Sequence, residues 1–217
     1  GRNRCGLQIK NFKENNLVSI ITYNYIKRGQ FVNLPPVSFL IFPKITLCHC
    51  LFGGLFKSKL IGVDNLIILG CGTSYNSGLH VSHLFKRMSG FNTVQVFDGA
   101  EFNEYDIPKS GKTCLMFISQ SGETRDLIRC IEIGKNHNLI MIGIINVVDS
   151  YIAREVHCGV YLNAGREVAV ASTKAFTTQV VVLHMIAIWF AQIRKINENM
   201  RQTVIRDIRR LPLDIKQ

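Results

Sequence analysis

Residues 113–124 read Thr-Cys-Leu-Met-Phe-Ile-Ser-Gln-Ser-Gly-Glu-Thr, an apolar run that passes abruptly into a hydroxyl-rich turn. The run Thr113–Ile118 has the length and unbroken hydrophobicity of a strand covered on both faces. The hexapeptide Ser119, Gln120, Ser121, Gly122, Glu123 and Thr124 then turns the chain into a helix starting near Thr124. Backbone N–H groups at a helix start lack intrahelical partners, so they point outward and attract an anion. Three hydroxyls stand around this turn, and Gly122 lets the backbone approach closely. No strong nucleophile, base or metal ligand is present. The chemistry offered is that of a phosphate seat.

The same strand-then-helix rhythm extends on both sides. Upstream, Asn65–Gly70 is a second short apolar run, followed by the turn Cys71-Gly72-Thr73-Ser74 and a helix over Tyr75–Met88 with Leu79, Leu84, Phe85 and Met88 at helical spacing; Gly90 stops it. Thr93–Phe97 reads as a strand and Gly99–Tyr105 as a brief helix or turn. Downstream of the central turn, Leu127, Ile128, Ile131 and Ile133 give a helix its buried stripe before Gly134. Leu139–Ile145 and Val156–Leu162 are two more strands, with a short helix from Ser150 to Glu155 between them. A long helix, capped by Ser172 or Thr173, runs through Ala191, and its Val180–Ala191 stretch is apolar on nearly all sides except His184. Alternation at this spacing predicts an α/β fold, a three-layer αβα sandwich with a five-stranded parallel sheet and right-handed crossovers. It divides the chain into a basic and apolar N-terminal segment (1–61), the sandwich (62–196) and a linker helix (197–217) broken at Pro212.

In open parallel sheets ligands bind at the carboxyl ends of strands, where the strand order reverses. Three polar segments occupy such ends: Cys71–Ser74, Ser119–Thr124 and Asn163–Lys174, the last carrying Glu167, Ser172 and Lys174. Singly, each has a bland reading, since Ser and Thr at helix starts are ordinary N-caps. Together they define a shared small-ligand crevice. Cys71, near a helix start, has the place of an activated thiol, yet none of the six His sits in a strand-end loop to act as its base. Gly70-Cys71-Gly72 lacks the third glycine of a dinucleotide fingerprint, and no P-loop lysine follows. The carboxylates Asp98, Glu101, Glu123 and Glu167 lie near strand ends, but sequence alone assembles no catalytic pair from them.

Charge and composition narrow the partners. The 217-residue chain has a net charge of +11, but residues 1–60 carry +8 of it and residues 192–217 carry +4, while 61–191 sum to −1. A near-neutral core with basic ends argues against nucleic-acid binding. Seven Cys without Cys-x-x-Cys spacing suit a reducing, cytoplasmic compartment, and Cys48-His49-Cys50 lacks the second pair a zinc site requires, so neither metal nor cofactor is expected. The one membrane-length segment, Val37–Phe56, is interrupted by Pro43-Lys44 and weakened by Gly53-Gly54, which argues against a membrane span.

The motifs Cys71-Gly72-Thr73-Ser74, Ser119-Gln120-Ser121-Gly122-Glu123-Thr124 and Val170-Ala171-Ser172-Thr173-Lys174-Ala175-Phe176-Thr177 resemble the three ligand loops of sugar isomerase (SIS) domains, which are flavodoxin-like. More narrowly they are similar to the first SIS domain of the glutamine–fructose-6-phosphate aminotransferase family. The resemblance covers residues 62–217. It implies that Ser119, Ser121 and Thr124 hold the phosphate of fructose 6-phosphate or a related sugar phosphate, with Gln120 and Thr73 beside it. It also implies that Cys71, Gly72, Ser74, Val170 and Ser172 line the sugar. Catalytic residues are implied to lie in a glutaminase domain, a second SIS domain and a C-terminal tail that this sequence does not contain. The chain then reads as a fragment, a truncated paralogue or an imperfect gene model within amino-sugar biosynthesis.

A stand-alone sugar-phosphate-sensing or regulatory protein is the alternative; a helix-turn-helix in residues 1–60 would support it, but Pro35-Pro36 and Pro43 oppose one there. The apolar excess of Val180–Ala191 predicts a homo-oligomer or pairing with a second SIS domain.

Overall fold

The runs at 65–70, 113–119 and 140–145 have no polar side to turn toward water, so they are stable only in the middle of a sheet with helices on both faces. The computed structural model describes residues 30–33, 54–166 and 172–216, and places these runs there. In chain order the elements are β1 (Gln30–Asn33), α1 (Gly54–Ile61), β2 (Asn65–Gly70), α2 (Thr73–Met88), β3 (Thr93–Asp98), β4 (Thr113–Ser119), α3 (Arg125–Asn136), β5 (Ile140–Ile145), α4 (Tyr151–Glu155), β6 (Cys158–Tyr161), α5 (Lys174–Ile193) and α6 (Glu198–Lys216). A single 3₁₀ turn, Glu104–Asp106, stands where a brief helix or turn is expected after β3.

All described strand pairs are parallel, in the order β1-β6-β5-β4-β2-β3. The five expected strands form a continuous sheet. A sixth, Gln30–Asn33, is added at the β6 edge, inside a segment the sequence leaves undefined. Four residues without a flanking helical period carry no sequence signal for a strand; pairing with Cys158–Tyr161 supplies it. The membrane-length stretch Val37–Phe56 falls mostly outside the described residues.

Period-two alternation divides the sheet side chains between two cores. Leu66, Ile68, Cys114, Met116, Ile118, Ile142, Ile144, Cys158 and Val160 face α2 and α5. Ile67, Leu69, Leu115, Phe117, Met141, Ile145 and Tyr161 face α3 and α4. Helix α5 is the one described helix long and apolar enough to cross a membrane, but two thirds of that window is buried. Its far side is covered within the chain: Met200, Val204, Ile205 and Ile208 of α6 join the same core. Part of the apolar excess of Val180–Ala191 is thus covered within the chain. Helix α6 continues through Pro212 rather than ending there. A proline four residues from the helix end removes one late hydrogen bond and leaves the preceding turns intact.

Arg194, just after α5, locks the amino-terminal edge of the sheet. Its guanidinium lies 4.3 Å over the Phe91 ring and donates to the carbonyls of Val63, Ser89 and Gly90. Ser89 Oγ in turn donates to Ala187 O at 3.0 Å, joining the end of α2 to α5. Helix α2 approaches the sheet through Gly78, where an added Cβ would stand 2.8 Å from Ile68 Cγ2 and 3.3 Å from Ile118 Cδ1.

Helical glycine-to-alanine exchange ordinarily stabilises, by about 1 kcal/mol. Here overpacking against two β-core isoleucines reverses the sign. Gly78→Ala is expected to lower unfolding stability by about 1–3 kcal/mol, read by urea denaturation; unchanged or raised stability would show that α2 does not seat on the sheet as described.

Candidate functional site

Strands β2 and β4 are neighbours, but the chain leaves them in opposite directions, from β2 to the β3 edge and from β4 through β5 to β6. The strand order therefore reverses between β2 and β4, and a crevice opens beyond their carboxyl ends. The loops 71–74 and 119–124 leave the two strands that flank this point. The third predicted segment approaches from β6, with Ser172 and Thr173 at the start of α5. Val170 and Glu167 lie outside the described residues.

Gly122 fixes the central turn. It adopts φ +68°, and an added Cβ would fall 1.9 Å from Ser150 Oγ. Its N–H donates to Ser119 Oγ at 2.9 Å, and its carbonyl accepts from the Ile152 N–H at 2.9 Å. Ser119 Oγ also lies 3.2 Å from Thr124 Oγ1, and Ser121 Oγ accepts the Glu123 N–H at 3.2 Å. The hydroxyl oxygens of Ser119 and Ser121 thus accept from backbone; one proton stays within the Ser119–Thr124 pair, while that of Ser121 and the second proton of the pair are left for an incoming acceptor. Thr124 is the N-cap of α3, and no side chain bonds across that helix start. The first-turn N–H groups and the positive end of the helix dipole remain available to an anion. Glu123 is not free to repel one at full reach, because its carboxylate accepts the Tyr151 N–H at 2.7 Å.

The loop after β2 is arranged differently. Gly72 takes φ +57° at the start of α2, again without a side-chain cap, and Thr73 is exposed. Ser74 is turned inward: it is buried, and its Oγ accepts from Gln179 Nε2 of α5 at 3.0 Å. Its hydroxyl joins α2 to α5, and the other amide atom of Gln179, Oε1, is buried without a partner. Cys71 is half-buried, and its thiol is pushed up to about 11, by burial first, with Asp98 and Asp126 adding to the rise against a Gly99 backbone hydrogen bond. It is a protonated thiol at neutral pH. Among the described residues no group of three or more His, Cys, Asp or Glu is placed to hold a metal ion.

Beside the hydroxyl turn lies an open cavity of about 400 Å³, lined by Gln120, Asn146, Val147, Asn163, Gly165 and Arg166 at the ends of β4, β5 and β6. Of the expected site residues only Gln120 lines it. Asn146 builds its wall: the backbone N–H donates to Ser119 O at 3.3 Å, Nδ2 donates to Gly165 O at 2.9 Å, and Oδ1 accepts from the Ala164 N–H at 2.8 Å. Sequence reasoning passes over Asn146 because an Asn ending a strand is an ordinary turn residue. It misses Gln179 because a polar residue inside an apolar helix does not reveal its partner.

This topology with these loops defines a class. The SIS-domain profile matches residues 59–189, and the chain belongs to the SIS domain family. It is homologous to the first SIS domain of glutamine–fructose-6-phosphate aminotransferase. A protein of Acanthamoeba polyphaga mimivirus named probable glutamine–fructose-6-phosphate aminotransferase (isomerizing) is 54% identical over 126 residues, 58% of this chain and 21% of its own. The mouse glutamine–fructose-6-phosphate aminotransferase (isomerizing) 2 is 38% identical over 169 residues, 77% of this chain and 25% of its own. The chain thus spans about a quarter of the length of these relatives. Among solved structures, the C-terminal domain of glucosamine-fructose-6-phosphate aminotransferase from Francisella tularensis superposes with a TM-score of 0.71 at 27% identity, covering 81% of this chain and 50% of that one. A glucosamine-6-phosphate deaminase from Thermotoga maritima shares the fold, with a TM-score of 0.55 at 24% identity over 70% of this chain and 46% of that one.

The raised Cys71 thiol has a chemical consequence. Two units above a free thiol leave about a hundredfold smaller thiolate fraction, so iodoacetamide should modify Cys71 far more slowly than free cysteine at pH 7.5. Peptide mapping by mass spectrometry reads this directly. Labelling at the rate of a free thiol would contradict the buried placement and reopen a nucleophilic role.

Proposed function

We propose that this chain binds fructose 6-phosphate, or a closely related sugar phosphate, as the first SIS domain of a glutamine–fructose-6-phosphate aminotransferase in amino-sugar biosynthesis. The observation that carries the proposal is the hydroxyl turn Ser119–Thr124 at the reversal of strand order, with the α3 start left uncapped. The phosphate sits on that helix start, accepting hydrogen bonds from the Ser121 hydroxyl, from the Ser119–Thr124 pair, one of whose protons stays within the pair, and from backbone N–H groups near Gln120. Thr73 stands beside the phosphate, the backbone of Cys71 and Gly72 borders the sugar from β2, and Val170 and Ser172 border it from the loop before α5. Ser74 contributes through position, holding α2 against α5. The homology to the aminotransferases supports this choice of sugar phosphate.

The chemistry of such a site is binding and orientation. Proton transfer between adjacent sugar carbons needs a base beside them, and amination needs an ammonia source. Neither is offered by the hydroxyl turn, so the chain by itself is proposed to hold the substrate without forming glucosamine 6-phosphate. Pairing with a second SIS domain, or with another copy, and a cytoplasmic setting complete the proposal. Free Cys71, Cys114, Cys130 and Cys158 are compatible with that compartment.

Calorimetry tests the phosphate seat. Ser121→Ala and Thr124→Val each remove one hydroxyl while leaving the sugar side intact. A hydrogen bond to a charged group contributes about 1.5–3 kcal/mol, so each variant is expected to bind fructose 6-phosphate roughly ten- to a hundredfold more weakly than the parent. Unsubstituted protein that binds no sugar phosphate, or variants that bind it unchanged, would overturn the assignment.

A further inference from the structure

A phosphate seated on hydroxyls and one helix start has little countercharge: the dipole supplies about half a unit against a group carrying nearly two. Three cations stand near the carboxyl edge of the sheet, Arg125, Arg166 and Lys174. Arg125 and Lys174 are the first residues of α3 and α5. Neither lines the cavity beside the turn. Arg166 does, together with Gln120, which stands between the two serines of the seat.

The position of Arg166 is set by a short chain of hydrogen bonds that begins at the seat itself. Ser119 O accepts the Asn146 N–H, and the Asn146 amide clamps Gly165 O and the Ala164 N–H, one and two residues before Arg166. Asn163 at φ 51° and Gly165 at φ 74° curl this segment over the ends of β5 and β6. The segment is therefore registered to the hydroxyl turn, and Arg166 is delivered to the shared cavity. Among the described residues no ion pair engages its guanidinium, and no carboxylate lines the cavity. The remaining wall is amide and aliphatic, suited to a polar anion.

We infer that Arg166 is a specificity-determining residue of this site, pairing with the phosphoryl group of a sugar phosphate held at Ser119–Thr124; the inference rests on the proposed sugar-phosphate reading. A guanidinium matches phosphate oxygens with a two-pronged fork, and it is charged at all working pH. It favours the dianion over the monoanion, so affinity rises as pH passes the second phosphate pKa, near 6. It adds nothing to the binding of an unphosphorylated ketose. Arg166 acts from the side of the seat, through charge, where the three hydroxyls act through short directed bonds.

The test uses the full chain, with fructose 6-phosphate as the probe, by calorimetry at pH 7.5 and at low and high salt. Arg166→Gln is expected to weaken binding about tenfold at low salt, and to flatten both the salt dependence and the rise in affinity between pH 5.5 and 7.5. Arg166→Lys should recover part of the affinity and most of the salt dependence, since it keeps charge but loses the fork. The residue is exposed, so neither variant should disturb folding, which circular dichroism checks. If the parent binds and Ser121→Ala weakens it, while Arg166→Gln matches the parent at every salt and pH, the inference falls and the phosphate seat stands. If the parent binds no sugar phosphate, both fall.

Discussion

The parallel pairing of β2 with β4 is the constraint on which the site depends. Asn65 through Leu69 stand in register with Thr113 through Phe117, so the two strands end close together and their loops leave side by side. Had the third apolar run been added outside β3, the same two loops would be separated by a strand and no crevice would open between them. The hydrophobic alternation that pins this register also splits the side chains between two cores, so a one-residue slip would turn both faces of β4 inside out. Stability and the placing of the two loops are set by the same register.

Upon that edge a second set of constraints shapes the turn. Gly122 is held by its own conformation, by Ser119 Oγ, by the Ile152 N–H and by the packing of Ser150. The polar groups are spent on one another to fix the backbone, one proton of the Ser119–Thr124 pair included, while the start of α3 carries no side-chain cap. The loop after β2 makes the opposite choice, placing Ser74 in the interior against Gln179 and leaving Thr73 outside. The crevice is therefore asymmetric: a hydroxyl-lined wall on the β4 side, and a wall bearing the half-buried Cys71 on the β2 side.

Much of this is legible in the sequence, for physical reasons that can be named. Unbroken apolar runs such as Ile67–Leu69 and Leu115–Ile118 admit only a doubly covered sheet, and helices such as Leu127–Ile133 show their buried stripe by spacing alone. The hydroxyl turn is legible in company: Ser and Thr at one helix start are ordinary caps, and it is three such polar segments at strand ends that single it out. The edge strand Gln30–Asn33 is not, since four residues gain their conformation from a distant partner. Nor is the passage of α6 through Pro212, where packing of Ile205 and Ile208 on the core outweighs one lost hydrogen bond. Residues whose role is to connect elements, Asn146 between β4 and the 163–166 loop and Gln179 between α5 and α2, are silent in sequence because their meaning lies in the partner. The inward turn of Ser74 belongs to the same group.

Backbone amide chemical shifts during titration with fructose 6-phosphate test the central claim most directly. The account predicts the largest perturbations at Gln120 through Asp126, smaller ones at Gly72 through Ser74 and at Gly165 and Arg166, and little change at the opposite edge around Val63, Phe91 and Arg194. Perturbations centred away from the β2–β4 ends, or none at saturating ligand, would contradict it.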